Sequence, residues 1–213
     1  MDWVLCGLGN PGRQYQNTRH NVGFLALMQL TDDLNLRVAL ETEFRCSLQL
    51  ETSTGGWRSK FRGLVSNLKV VSKDRKEEVL LFLPQTYMNN SGEPLQEVLA
   101  FYKAPIERLI VVHDELDLPF EKLQVKVGGG AAGHNGIKSV VKQCGDRFTR
   151  IRVGIGRPTE ARIPTIDYVL QPFSDVELKN MSGYLLQVLR CAITIVLQGS
   201  VVAQGSFNRK AIS

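Results

Sequence analysis

Histidine and cysteine are scarce in this sequence, with three and four copies among 213 residues. Cys6, Cys46, Cys144 and Cys191 lie far apart and form no C-x-x-C pair, which excludes a disulfide framework or a zinc knuckle and fits a reducing, cytoplasmic setting. Long apolar runs are lacking too. The most apolar stretch, Cys191 to Ala203, is interrupted by Gln198, Gly199 and Ser200, too short for a helix across a hydrocarbon layer of about 30 Å, so no membrane span is expected. The opening residues have neither a basic n-region nor an Arg/Ser-rich transit pattern, so no export is expected. There is no internal repeat, no low-complexity segment and no break in composition, which points to a single domain over residues 1–213. No serine or cysteine stands in a nucleophile setting such as G-x-S-x-G, so a covalent route has no obvious candidate.

What is present suits an ordinary globular core: 43% of residues are apolar and 22% charged, enough to fold without disulfides or metal. Lysine and arginine number 26 against 21 acidic residues, and the resulting +5 favours an anionic partner only mildly.

Trp3 to Leu8 reads as a buried strand closed by the glycine-rich loop Gly7 to Gly12. Thr18 is placed to cap a helix with apolar positions Phe24, Leu27, Met28, Leu30 and Leu34. Several strands are expected between Arg37 and Leu83, with turns at Gly55-Gly56 and from Lys73 to Glu78. A helix from about Glu93 to Lys103 follows, then strands at Arg108 to His113 and Lys122 to Val127, a helix from Gly133 to Cys144, and a strand from Arg150 to Ile155. Ser174 and Glu177 form a capping box that opens a last helix with Leu185, Leu186, Val188, Leu189, Ile193 and Val196 on its apolar face. This alternation predicts an α/β fold, a mixed, largely parallel twisted sheet covered by helices.

Gly7, Gly9 and Gly12 satisfy G-x-G-x-x-G after a strand, the first hint of a dinucleotide site. That reading fails on spacing. Pro11 and the polar run Arg13 to Asn17 postpone the helix to about Thr18, leaving no helix N-terminus at the glycines to meet a pyrophosphate.

The three histidines occupy element ends: His20 in a first helical turn, His113 at a strand end and His134 at a helix start. Behind a Thr18 cap, the positive end of the macrodipole would keep His20 neutral and able to accept a proton. Asp114 follows a buried strand, at the edge where α/β sheets present functional groups, and could hold a ring nitrogen of that base. Neighbouring strand residues face opposite ways, so if Asp114 faces a cleft His113 is structural. No His or Asp pair here has the spacing of a helical metal site, and no metal is expected. Asn10, Asn21, Asn89 and Asn135 gather at loop ends, where neutral amides can polarise a carbonyl or orient water. Water activated by a histidine is the economical chemistry.

At this point the residues resemble a known family. The opening string Gly7-Leu8-Gly9-Asn10-Pro11-Gly12, Tyr15, Thr18-Arg19-His20-Asn21 and Gly23-Phe24 is similar to the signature of bacterial-type peptidyl-tRNA hydrolase. The likeness continues in order through Thr86-Tyr87-Met88-Asn89, His113 to Pro119, Gly128 to Gly130 with Gly133-His134-Asn135-Gly136, Gly154 to Pro158, and Asp167 to Leu170 with Pro172-Phe173. The resemblance implies a monomeric, cofactor-free cytoplasmic esterase that cuts the bond between a peptide and the ribose at a tRNA 3′ end. It implies His20 as general base on water, Asp114 orienting it, and Asn10 and Asn89 holding substrate or stabilising an oxyanion. Asn135 would position peptide or water, Met88 would line the cleft, and Tyr15 belongs to the substrate-binding set. A phosphate grip is expected from the helix after Gly128 to Gly130, with Lys138 in its second turn and Lys122, Lys126, Arg150 and Arg152 beside it. Arg58, Lys60 and Arg62 alternate, the spacing expected of residues on one face of a strand.

The sequence departs from the family pattern at Leu83-Pro84, at Gln124, and at Ala131-Ala132, which interrupts the glycine run and adds Cβ atoms. A different class of function also fits the resemblance: a catalytically silent relative acting as an RNA-splicing or RNA-binding partner.

Overall fold

A computed structural model describes residues 1–51, 56–160 and 162–208. Among these residues eight strands form one mixed sheet: β1 (Trp3–Gly7), β2 (Cys46–Leu50), β3 (Arg58–Lys60), β4 (Gly63–Ser72), β5 (Lys76–Pro84), β6 (Leu109–Glu115), β7 (Leu123–Val127) and β8 (Thr149–Gly154). Their order is β2-β4-β5-β1-β6-β8-β7, with β3 on β4. The expected parallel character is concentrated in the middle, where β1 pairs with β5 and β6 and β6 pairs with β8. The outer pairings are antiparallel.

Among the described residues seven α-helices surround the sheet: α1 (Val22–Asp32), α2 (Leu34–Phe44), α3 (Gly92–Tyr102), α4 (Asn135–Cys144), α5 (Thr165–Val169), α6 (Asp175–Gln198) and α7 (Ser200–Phe207). Both faces of the central strands are covered, so β1 and β6 are buried along their whole length and read as unbroken apolar runs. Leu5, Ile110 and Val112 pack with Leu27, Leu30, Val188 and Ile195 on one side. Val4, Cys6 and Val111 pack with Leu95, Val98, Ile137 and Val140 on the other. Each such side chain contributes roughly 1.5–3 kcal/mol of burial.

The structure corrects the reading of residues 18–44. Thr18 caps no α-helix; its hydroxyl donates to the Tyr15 carbonyl (2.8 Å), and a single 3-10 turn, Arg19–Asn21, precedes α1. Nor does the helical pattern run on unbroken to Leu34. Asp33 accepts from the Leu36 amide (3.1 Å) and so starts α2 where strands were expected. Leu36 and Leu40, four apart, are the buried positions of α2, and Arg45 in the left-handed region (φ 49°) ends it. The turn between β4 and β5 lies where expected, whereas Gly55 of the Gly55-Gly56 turn lies outside the described residues, as do 209–213.

The capping box at Ser174 and Glu177 does open a helix, and α6 is the longest of the seven. Its 24 residues are long and apolar enough to cross a membrane by length and composition, yet most of that window is buried. Its apolarity is accounted for by core packing against β8 and α1.

The glycine-rich loop also finds its physical reason. A Cβ on Gly7 would lie 2.3 Å from the Gly23 carbonyl oxygen, so the end of β1 and the start of α1 pack backbone to backbone. Gly12 adopts φ 108°, and the chain passes into a short 3-10 turn instead of a long helix. These glycines serve packing and turning, consistent with rejecting a dinucleotide site.

Candidate active site

Loops at the C-terminal ends of β1 and β6 build the site, at the sheet edge where α/β proteins assemble function. After β1 the loop carries Asn10, which is nearly buried. Its backbone N–H donates to Asn21 Oδ1 and its carbonyl accepts from Asn21 Nδ2, both at 2.9 Å, tying this loop to the turn that carries His20. Asn10 Oδ1 accepts from the Met88 amide at 2.8 Å, which recruits the 3-10 turn Met88–Asn90. The Asn10 side-chain N–H group has no partner among the described residues and remains free to donate.

From β6, Asp114 presents its carboxylate. His20 Nδ1 and His134 Nε2 both lie 2.9 Å from the same oxygen, Asp114 Oδ1. An ionised carboxylate only accepts, so each of these nitrogens carries a proton. His134, the N-cap of α4, accepts from the Ile137 amide at Nδ1 (3.3 Å), which fixes its tautomer. For His20 the consequence is a free lone pair at Nε2, and the ring lines a cleft of about 270 Å³.

The electrostatics follow from this cluster. Burial works against the His20 imidazolium, but the charge and hydrogen bond of Asp114 outweigh it and raise the His20 pKa above the ordinary value. Burial pushes the Asp114 carboxyl the other way, and the two imidazoles overcome that, holding it far below the usual carboxylate range. The expected helix-dipole control of His20 is therefore replaced: the ring sits on a three-residue turn, and the carboxylate governs it.

His113 is buried on the opposite side of β6, its Nδ1 donating to the Asp114 carbonyl (2.7 Å), in line with a structural role. Burial, first of all, and the neighbouring His134 keep its pKa well below the ordinary value. The cleft is further lined by Glu115, Leu116, Ala132, Asn135, Arg157 and residues of α5. His20, Asp114 and His134 also offer three potential metal-ligating atoms within 4.8 Å of one another, and the same three side chains are joined by the hydrogen bonds converging on Asp114.

Of the expected residues, His20, Asp114 and Asn135 line one cleft. Asn10 and the buried Met88 are bonded together and are not among the residues lining that cleft, and Asn89 is exposed on the same turn as Met88. Tyr15 is half-buried on the loop between Asn10 and His20 and does not line the cleft. Lys126 is exposed on β7, and Lys138 is exposed on α4. Arg152, expected in the phosphate grip, has its guanidinium paired with Glu115 (2.7 Å) and bonded to Gln124. Arg150 is likewise buried, donating to the carbonyls of Gly128, Gly129 and Gly130, so it braces the glycine loop from within. Arg62 is occupied by Glu93 and Glu97. Two contributors escaped the sequence reading. His134, given no role by its sequence position, is signalled by its place before Asn135 at a helix start; Arg19 adjoins His20 but bonds Pro172 and Glu177.

A mixed α/β sheet with an imidazole–carboxylate pair at the ends of its central strands, and with no serine or cysteine hydrogen-bonded to a histidine among the described residues, is an arrangement of the hydrolase class. The sequence profile of the family described as Peptidyl-tRNA hydrolase matches residues 4–213. The peptidyl-tRNA hydrolases of Bdellovibrio bacteriovorus and Carboxydothermus hydrogenoformans are each 37% identical to this chain, covering 97% of it and 99% and 98% of their own lengths. The crystal structure of the Acinetobacter baumannii peptidyl-tRNA hydrolase superposes with a TM-score of 0.72 at 30% identity, covering 97% of this chain and 94% of that one. The chain belongs to the peptidyl-tRNA hydrolase family.

Proposed function

We propose that this enzyme hydrolyses the ester joining a peptide to the 3′-terminal ribose of tRNA, with His20 as general base on water. The observation that carries this reading is the His20–Asp114 bond, which protonates Nδ1 and leaves Nε2 facing the cleft as a base. Water gives a proton to His20 Nε2 as its oxygen bonds to the ester carbonyl carbon. The carbonyl oxygen becomes an oxyanion, and the donor we assign to it is the free amide of Asn10, a neutral group on the loop tied to the His20 turn. Collapse breaks the carbon–ribose oxygen bond, and the leaving oxygen takes the proton back from the His20 imidazolium. Asp114 stays ionised throughout and holds the ring's orientation.

Asn89 and Asn135, both exposed and with no side-chain hydrogen bond among the described residues, hold the peptide amides, and Met88 forms the floor beside them. Tyr15, half-buried on the loop between Asn10 and His20, is assigned to the substrate-binding set. Lys126, Lys138 and the N-terminus of α4 contact acceptor-end phosphates. The one-sheet architecture acts as a single-domain monomer in the cytoplasm, where its four free thiols stay reduced.

The test is hydrolysis of an N-blocked aminoacyl-tRNA by the purified protein, beside His20→Ala and with a chelator. Turnover that survives the chelator and drops about 10²- to 10⁴-fold in His20→Ala is expected. Retention of tRNA without turnover would instead favour a silent RNA-binding relative.

A further inference from the structure

Arg19 immediately precedes His20, yet its side chain points away from the cleft and is only 8% exposed. One guanidinium nitrogen donates to the Pro172 carbonyl (2.8 Å) and the other lies 2.7 Å from Glu177 Oε2. The guanidinium carbon also stands 4.4 Å from the Tyr168 ring centroid and 5.5 Å from that of Phe173. The backbone joins the same grip: the Arg19 amide donates to the Gln171 carbonyl (3.1 Å) and the Phe173 amide to the Asn17 carbonyl (3.2 Å). Residues 17–19 are thus laced to 171–173, which connect α5 to α6.

The other end of this contact is fixed as well. Glu177 Oε2 accepts from the amide and hydroxyl of Ser174 (2.6 and 2.8 Å) in the capping box of α6, besides pairing with Arg19. Tyr168, under the guanidinium, donates its hydroxyl to the Ile155 carbonyl just beyond β8. Its neighbours on α5, Thr165, Ile166 and Val169, form one wall of the cleft. A buried arginine is tolerated where its planar fork meets several partners at fixed angles, and a lysine ammonium cannot reproduce that pattern.

We infer that Arg19 is a positioning residue, which holds the His20 turn at its hydrogen-bonding distance from Asp114 and couples the base to the α5 wall. This rests on the reading of His20 as the base. Arg19 touches no reacting atom; it acts through the backbone at His20 and through Tyr168, so base and wall keep one relative placement when substrate enters.

The test compares Arg19→Met, Arg19→Lys and Glu177→Gln with the native enzyme and with His20→Ala, on N-blocked aminoacyl-tRNA. Readouts are kcat and KM at a temperature where each variant is folded, its Tm, and the ¹⁵N-edited NMR signal of the His20 Nδ1–H proton. Expected is a fall in kcat of about 10- to 100-fold in Arg19→Met, the cost of a small misplacement, with that proton signal shifted or broadened. Arg19→Lys should recover part of both. Glu177→Gln, which keeps an acceptor for the capping box, should show a smaller loss, and it serves with Arg19→Lys should Arg19→Met not fold. A lower Tm alone, with native kcat and a native Nδ1–H signal in folded variants, overturns the inference. Full turnover by His20→Ala would overturn the base assignment itself, whereas an inactive His20→Ala beside native-like Arg19 variants would overturn only the role of Arg19.

Discussion

His20 and Asp114 stand 94 positions apart in the chain and meet at 2.9 Å, Nδ1 to Oδ1. That bond sets the tautomer of His20 and raises its pKa, so it also sets the pH range in which His20 can act as the proposed base. An unperturbed histidine titrates near pH 6.5, roughly. The acid limb of kcat/KM should therefore fall as pH drops through a value above that, because protonated His20 cannot accept water's proton. The sign for stability is opposite. A group whose pKa is raised by folding stabilises the fold fully below its unfolded pKa, and that contribution is lost as pH rises through the folded pKa. Activity should thus decline on acidification while the His20 contribution to Tm grows, which pH-dependent kinetics and thermal melts in the same buffers would check. Parallel loss of Tm and activity over that window would refute it.

Asp114→Asn should lower kcat about 10²- to 10⁴-fold. One amide oxygen can still accept, but the charge that favours the imidazolium formed during reaction is gone. The acid limb should move to lower pH as well, since the chief force raising the His20 pKa has been removed.

Asn10 separates support from chemistry. Asn10→Asp keeps an oxygen for the Met88 amide, so the fold should survive, but it replaces the free amide donor with a negative charge. A drop in kcat of about 10²- to 10³-fold with little change in Tm is expected. Asn10→Ala should in addition lose stability, about 1–3 kcal/mol, by stranding the Met88 amide.

Ala132 lines the cleft in the left-handed region, at φ 46°. An L-residue there costs about 1–2 kcal/mol, and glycine returns part of the relief as chain entropy, about 0.4–1 kcal/mol. Ala132→Gly should raise Tm slightly and widen the cleft mouth, which a melting curve and KM would register.

The basic residues should divide in two. Lys126→Ala and Lys138→Ala should each weaken tRNA binding and reduce the salt slope by about one. Arg152→Ala should leave the salt slope alone and lower Tm, because it strands the nearly buried Glu115 carboxylate. Titrations of tRNA at several salt concentrations distinguish the two groups.

What the sequence by itself determined is the alternation of strands and helices, the element ends where His20, Asp114, Asn10 and Asn135 stand, and the family pattern that binds them. These are local properties: apolar runs for β1 and β6, the Ser174–Glu177 capping box, glycines at turns. The α1–α2 break was also local, written in Asp33, but the apolar period of α1 masked it. The tertiary structure alone decided which side chains share partners. Two imidazoles from distant turns converge on one carboxylate oxygen, Arg152 is spent on Glu115 and Arg150 on glycine carbonyls, and Arg19 reaches Glu177 across 158 positions. Charge and residue type are visible in a linear string, whereas the direction of a guanidinium is fixed by desolvation and by acceptors that only folding brings within reach.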